Sequence, residues 1–331
     1  MVTSPQPMAS PTWVRTIFVA AVALAVVVGI LGIFPVRSQT QSLVVSRTEE
    51  SIPLDDPWAA IWETTTPETV ALSAQNIAPP FGGGAVSAVA ARALHDGQRL
   101  YFLVEWDDDS ADSSVTGAEL FSDAAALQFP INGAEAPYTM GGAGLPVNIW
   151  QWKAVWQADI ESGFETIQDR LPNTYVDDYQ NPDDPLYLTA ESVGNPLAQR
   201  DRMSPVENLV AEGFGTLTTS EIQDVDGAGV WNDGQWRALF VRDFVAADPE
   251  LTSFAIGKVT QVAFAVWDGN AGDRNGQKSI TTFVDLQLVD ETAPMPGEGS
   301  VRSDLLLLLL TITLAAIAVY GITRGIKEEN E

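Results

Sequence analysis

Leu94-His95-Asp96-Gly97-Gln98-Arg99-Leu100-Tyr101-Phe102-Leu103-Val104-Glu105-Trp106-Asp107 is the stretch that decides the fold class. A His-Asp-Gly turn runs straight into aromatic and branched side chains, the residues that fit a pleated, half-buried surface. The same grammar recurs in Val147–Trp152, Gln235–Val241 and Gln261–Trp267, with turns at Asn232-Asp233-Gly234 and Asp268-Gly269-Asn270. Many short strands separated by such turns predict a mainly β chain, an antiparallel β-sandwich with long loop insertions. The longest insertion is expected over Asp159–Gln199, which is polar and carries four prolines, Pro172, Pro182, Pro185 and Pro196.

Working outward, two apolar segments bracket this β-rich region. Ile17–Phe34 lacks charge and is about the minimum length for a spanning helix; without a small-residue cleavage site after it, a retained anchor is preferred to a cleaved signal peptide. Leu305–Ile322 is more apolar still, and Arg324 and Lys327 beyond it put that end in the cytoplasm. The expected plan is a short tail (1–16), a transmembrane helix (17–34), a linker (35–52), the sandwich domain (53–289), a linker (290–303), a transmembrane helix (304–323) and a cytoplasmic tail (324–331). It leaves the main domain membrane-anchored on the extracytoplasmic side, periplasmic or at the cell surface.

Composition excludes much. The 331 residues contain 44 acidic and 17 basic side chains, a net charge of -27, which argues against nucleic acid as a partner. There is no cysteine, so disulfides, thiolate-bound zinc, iron–sulfur clusters and covalent haem attachment all fall away. A single histidine, His95, removes bis-histidine haem and multi-histidine metal sites. Any metal centre in this chain must therefore draw on methionine, lysine, tyrosine or carboxylates.

Enzymatic signatures are missing too. No P-loop, dinucleotide fingerprint or His-Glu-x-x-His occurs, and His95, read as a turn residue, has no recognisable nucleophile to serve. The acidic runs Asp107-Asp108-Asp109 and Asp177-Asp178 invite calcium, yet neither has the ligand spacing and glycine of an EF-hand loop. A non-catalytic chain is the reading these absences favour.

The informative segment is Phe121–Pro130, followed by Pro137-Tyr138-Thr139-Met140-Gly141 and Pro146–Ala154. On residues alone Met140 is a loop methionine filling a gap, and the six tryptophans Trp106, Trp150, Trp152, Trp231, Trp236 and Trp267 are core packing. In company with Asp56-Pro57, Ala211-Glu212-Gly213-Phe214-Gly215-Thr216-Leu217, Gly229-Val230-Trp231, Trp267-Asp268-Gly269 and Arg274-Asn275-Gly276-Gln277-Lys278-Ser279, the order of elements resembles the haem-binding gamma subunits of ethylbenzene dehydrogenase, dimethyl sulfide dehydrogenase, selenate reductase and chlorate reductase.

That resemblance implies one non-covalent b-type haem in a β-sandwich, held by a methionine and a lysine. The methionine that matches is Met140. Among lysines, Lys278 matches best, Lys258 before the Val262–Trp267 strand is the alternative, and Lys153 lies too close to Met140 to reach the opposite haem face. The resemblance also implies a non-catalytic electron-transfer subunit serving a molybdopterin catalytic subunit and an iron–sulfur subunit, exchanging electrons with a quinone pool or a cytochrome. The C-terminal span departs from the soluble members and suggests a complex fixed to the membrane bilayer, handling nitrate or nitrite. Neither apolar segment carries a haem ligand, so electrons would pass through the extracytoplasmic surface. The rival from another class is a membrane-tethered carbohydrate- or ligand-binding β-sandwich without haem, in which exposed tryptophans would stack on sugar rings.

Overall fold

In the computed structural model the described residues are 41–292, apart from 134 and 176–189. The opening stretch forms two strands, β4 (Ala88–His95) and β5 (Arg99–Asp107), around a turn at residues 96–98. Asp96 makes that turn: its Oδ1 accepts from the Gln98 and Arg99 backbones at 2.8 and 2.7 Å, and its Oδ2 accepts from the Tyr101 hydroxyl at 2.8 Å. On the other side of β5 lies β11 (Gln235–Asp243), antiparallel along its whole length with Trp236 opposite Trp106. β11 pairs in turn with β10 (Asp226–Asn232) across Asp233-Gly234, whose φ values of 49° and 85° match the tight turn that their sequence demands.

The first layer continues through β1 (Ser42–Arg47) and β14 (Val284–Thr292), in the order β10-β11-β5-β4-β1-β14, with β2 (Glu68–Ala71) also on β4. The second layer comprises β12 (Val259–Trp267), β6 (Ala124–Pro130), β7 (Val147–Lys153), β8 (Val206–Ala211) and β9 (Thr218–Thr219). β12 serves both: Val259–Val262 pair with β14 and Ala263–Trp267 with β6. Two short strands, β3 (Ser73–Ala74) and β13 (Ser279–Ile280), pair with each other beside β12.

The structure corrects four expectations. The sandwich is not antiparallel throughout, because β1 is parallel to both β14 and β4; it meets neither through a hairpin, so nothing forces reversal. The domain also begins earlier than residue 53, within the stretch expected to be a tether, since Leu43 and Val45 are buried in the core. Likewise β14 runs to Thr292, past the expected boundary at 289. His95, expected in a turn, ends β4 and is fully buried: the Gly97 N–H donates to Nδ1, so Nε2 carries the proton and donates to the Val289 carbonyl at 2.7 Å.

Three short α-helices lie among the described residues: α1 (Ala60–Thr64), α2 (Ala154–Ser162) and α3 (Ile167–Arg170). α2 begins directly at the end of β7 and stops at Gly163, whose φ is 91°. It opens the insertion expected over Asp159–Gln199, part of which lies outside the described residues, as do the two apolar segments at 17–34 and 304–323. Among the described residues no helix is long and apolar enough to cross a membrane.

Between the layers, Phe102, Phe129, Trp150 and Phe254 form one aromatic nest and Trp106, Trp152 and Trp236 another, with ring centroids 4.7 Å apart for Phe129–Trp150 and 4.9 Å for Trp152–Trp236. The Arg242 guanidinium lies 4.6 Å over the Trp150 ring and donates to Asn148 Oδ1 and the Thr252 carbonyl, a buried cation kept by hydrogen bonds. Because Trp150 is fully buried, Trp150→Ala is expected to cost about 3–5 kcal/mol in urea denaturation. A loss under about 1 kcal/mol would mean that this nest is not a centre of stability.

Candidate functional site

Alternation along the second layer sends Leu127, Phe129, Trp150, Trp152, Phe264 and Val266 inward and leaves Ala126, Gln128, Ile149, Gln151, Ala263 and Ala265 on the outer face. Ala126 and Ala265 are direct partners across β6 and β12. Two methyl groups side by side leave a depression in the sheet where larger side chains would stand proud. Four chain segments wall it: the loop after β3, the turn 137–145, the loop after β8, which supplies Phe214 and Leu217, and the segment that leads into β13. Together they enclose an open, largely apolar cleft whose empty space, mouth included, is about 710 Å³.

Met140 enters this cleft from the turn 137–145 and packs against the outer-face cluster of β6, β7, β8 and β12. It adopts φ 67°, unusual for a side-chain-bearing residue. The turn is pinned on both sides, by the Gly141 N–H to the Pro137 carbonyl at 2.9 Å and by the Gly213 N–H to the Met140 carbonyl at 2.7 Å. Gly141 must be glycine: a Cβ there would sit 2.6 Å from the Leu145 carbonyl oxygen. The Met-Gly pair is thus one device, in which the glycine lets the turn settle against β7 and β8 while the methionine lines the cleft.

Lys278 lines the same cleft from the opposite segment, immediately before β13. Its backbone is clamped by the β3–β4 loop, with the Gln75 N–H donating to the Lys278 carbonyl at 3.0 Å and the Lys278 N–H to the Gly82 carbonyl at 3.2 Å. Gly83 passes so close that a Cβ would lie 2.2 Å from the Lys278 main chain. Gln75 holds that loop, its side-chain N–H groups reaching the carbonyls of Ala78, Pro80 and Gly276. The Lys278 Nζ sits 4.7 Å over the Trp267 ring. Burial alone, unopposed by any carboxylate, pushes the amine down to about 8.

The other lysines do not share the cleft. Lys258 is exposed in the turn that precedes β12. Lys153 pairs with Glu207 and lies 4.1 Å over the Trp156 ring; burial lowers its basicity and Glu207 opposes the shift. Of the six tryptophans expected in the core, five pack between or against the sheets, whereas Trp267 is on the outer face and walls the cleft. No tryptophan among the described residues is exposed as a platform for a sugar ring.

A sequence model described as ethylbenzene dehydrogenase matches residues 59–279, a span that contains Met140, Lys258 and Lys278. The chain belongs to the ethylbenzene dehydrogenase family. Within its wider kin, the protein named "Putative respiratory nitrate reductase heme subunit ORF7" from Haloferax mediterranei is 26% identical over 280 residues, covering 81% of this chain and 82% of its own length. The chlorate reductase subunit gamma of Ideonella dechloratans is 26% identical over 229 residues, covering 68% and 75%. Among solved structures, a family 9 carbohydrate-binding module from Caldicellulosiruptor kristjanssonii in complex with glucose is similar at 10% identity and a TM-score of 0.38, over 77% of this chain and all of that one, too distant to speak for a ligand.

Two parts of the ethylbenzene dehydrogenase-family cleft escape sequence reasoning. The alanine floor is hidden because alanine on an exposed face has no distinctive meaning until its strand partner is known. The Gln75 clamp is hidden because it joins residues about 200 positions apart.

Proposed function

We propose that this chain is a non-catalytic electron-transfer subunit that carries one non-covalent b-type haem in the outer-face cleft, where Met140 and Lys278 would hold the iron. The observation that carries this reading is the convergence of a methionine thioether and a carboxylate-free lysine amine on one apolar cleft. Bound there, the haem would supply a one-electron iron couple.

The rest is the work of the chain's own residues. A lysine can bind iron only as a neutral amine, and burial over Trp267 lowers the cost of reaching that state. A soft thioether from Met140 favours ferrous iron and raises the potential relative to two nitrogen ligands. Ile149 and Leu209, buried along the cleft, would keep water from the group and push in the same direction.

Relatives named as a heme subunit and as a gamma subunit support a place in a larger reductase. In this reading a molybdopterin subunit and an iron–sulfur subunit do the chemistry, and the chain relays electrons to or from a quinone pool or a cytochrome. The apolar runs at 17–34 and 304–323 tether it to the membrane, with the sandwich on the extracytoplasmic side as Arg324 and Lys327 favour. Purified from cells given ample haem, the protein is expected to show a Soret band with low-spin bands extractable into acidified organic solvent. Protein that folds yet has no Soret band would overturn the proposal.

A further inference from the structure

Away from the cleft, at one end of the sandwich, three carboxylates meet. Asp108 follows β5, Asp123 precedes β6 and Asp268 follows β12, and each offers an oxygen within 4.8 Å of the others. Asp108 and Asp123 are 6% and 0% exposed. Among the described residues no basic side chain pairs with any of the three.

Asp123 is firmly seated. Its Oδ1 accepts from the Gly269 N–H at 2.8 Å, and its Oδ2 accepts from the Asp112 N–H at 2.6 Å and the Trp236 indole at 2.9 Å. Asp108 is satisfied on one oxygen only, where Oδ1 accepts from the Ser110 N–H at 3.1 Å. Its Oδ2 is buried and closes no hydrogen bond in the geometry, although the Trp106 indole N–H, also without a partner, acts on this carboxylate and opposes part of the effect of burial. Burial pushes Asp123 up to about 7 and Asp108 up to about 6, and the neighbouring acids add to both shifts.

Two buried acids and a half-buried third, with no counter-charge, call for either shared protons or a bound cation. Oxygen donors from three separate segments, with no nitrogen or sulfur among them, suit a hard cation, and calcium tolerates such irregular sets better than magnesium. We propose that Asp108, Asp123 and Asp268 hold a calcium-class divalent cation that ties together the ends of β5, β6 and β12. The acidic run at 107–109 thus contributes Asp108 alone, completed by residues remote in sequence, which is why no loop motif betrays it.

The test uses the full-length haem-loaded protein, stripped with a chelator and dialysed. Calcium at about 100 times its Kd is expected to raise the Tm by about 5–10 °C. Terbium is expected to bind with luminescence sensitised by tryptophan, because the Trp236 indole touches Asp123. Asp108→Asn and Asp268→Asn should lose both responses, and a variant that fails to fold leaves the stripped wild-type titration to decide. A wild-type protein indifferent to calcium and terbium overturns the proposal. So do variants that respond like the wild type, or a protein stabilised by mild acid and not by calcium, which would mean that protons occupy the cluster. An equal response to magnesium would overturn the calcium-class assignment.

Discussion

Lys278→Ala is expected to convert the low-spin haem spectrum to a five-coordinate one and to weaken haem retention by at least about tenfold, equivalent to about 1.4 kcal/mol. The wild-type amine is pushed down to about 8 by burial, so coordination below that pH must displace a proton. Haem affinity should therefore rise by up to about tenfold per pH unit between pH 6 and 8 and level off above, and the slope should vanish in Lys278→Ala. The sign for the haem-free protein agrees. A depressed lysine disfavours the folded state below about 8, and that penalty is relieved as pH rises toward its ordinary value of 10.5. Removing the amine should accordingly leave haem-free stability at pH 7 unchanged or higher. Lys258→Ala, in an exposed turn, is expected to change nothing; a normal spectrum for Lys278→Ala with an altered one for Lys258→Ala would move the ligand to Lys258.

Ala126→Phe should abolish haem binding while the protein still folds. Ala126 faces Ala265 across two strands on the floor of the cleft, and a ring at either position occupies the space a planar cofactor needs. Ala126 is buried in the outer-face cluster and not between the sheets, so the substitution is expected to carry an overpacking penalty of about 1–3 kcal/mol without unfolding the sandwich. Gel filtration and circular dichroism should match the wild type, with the Soret band lost. Retention of a normal Soret band would place the cofactor elsewhere on the molecule. The two variants together separate a ligand from a wall, since Lys278→Ala alters the spectrum and Ala126→Phe removes it.

How much of this could be read from the chain depends on the range of the interaction. β5 and β11 announce themselves because Asp96-Gly97 and Asp233-Gly234 encode the turns before them locally. β1 does not, because Ser42–Arg47 is short and its partner strand lies at the far end of the domain. α2 is missed since Ala154–Ser162 follows β7 without a capping residue or a clear apolar stripe. Met140 and Lys278 owe their selection to family resemblance, as neither residue type signals a ligand alone; their common cleft comes from clamps such as Gln75 and Gly83 that sequence spacing does not reveal. The carboxylates of Asp108, Asp123 and Asp268 are the extreme case, three unremarkable acids made unusual only by meeting from remote segments, two of them buried.

The pairing of Ser42–Val45 with Asp285–Leu288 has a kinetic corollary. First and last strands of the domain are neighbours, so the sheet cannot close until nearly the whole domain has emerged, and such non-local pairing makes for slow maturation. Ala263, Ala265 and Trp267 reach the cleft on β12, which also pairs with β14. The floor of the cleft thus forms late, and in the proposed role the chain would have to wait for β14 before it could take up a cofactor.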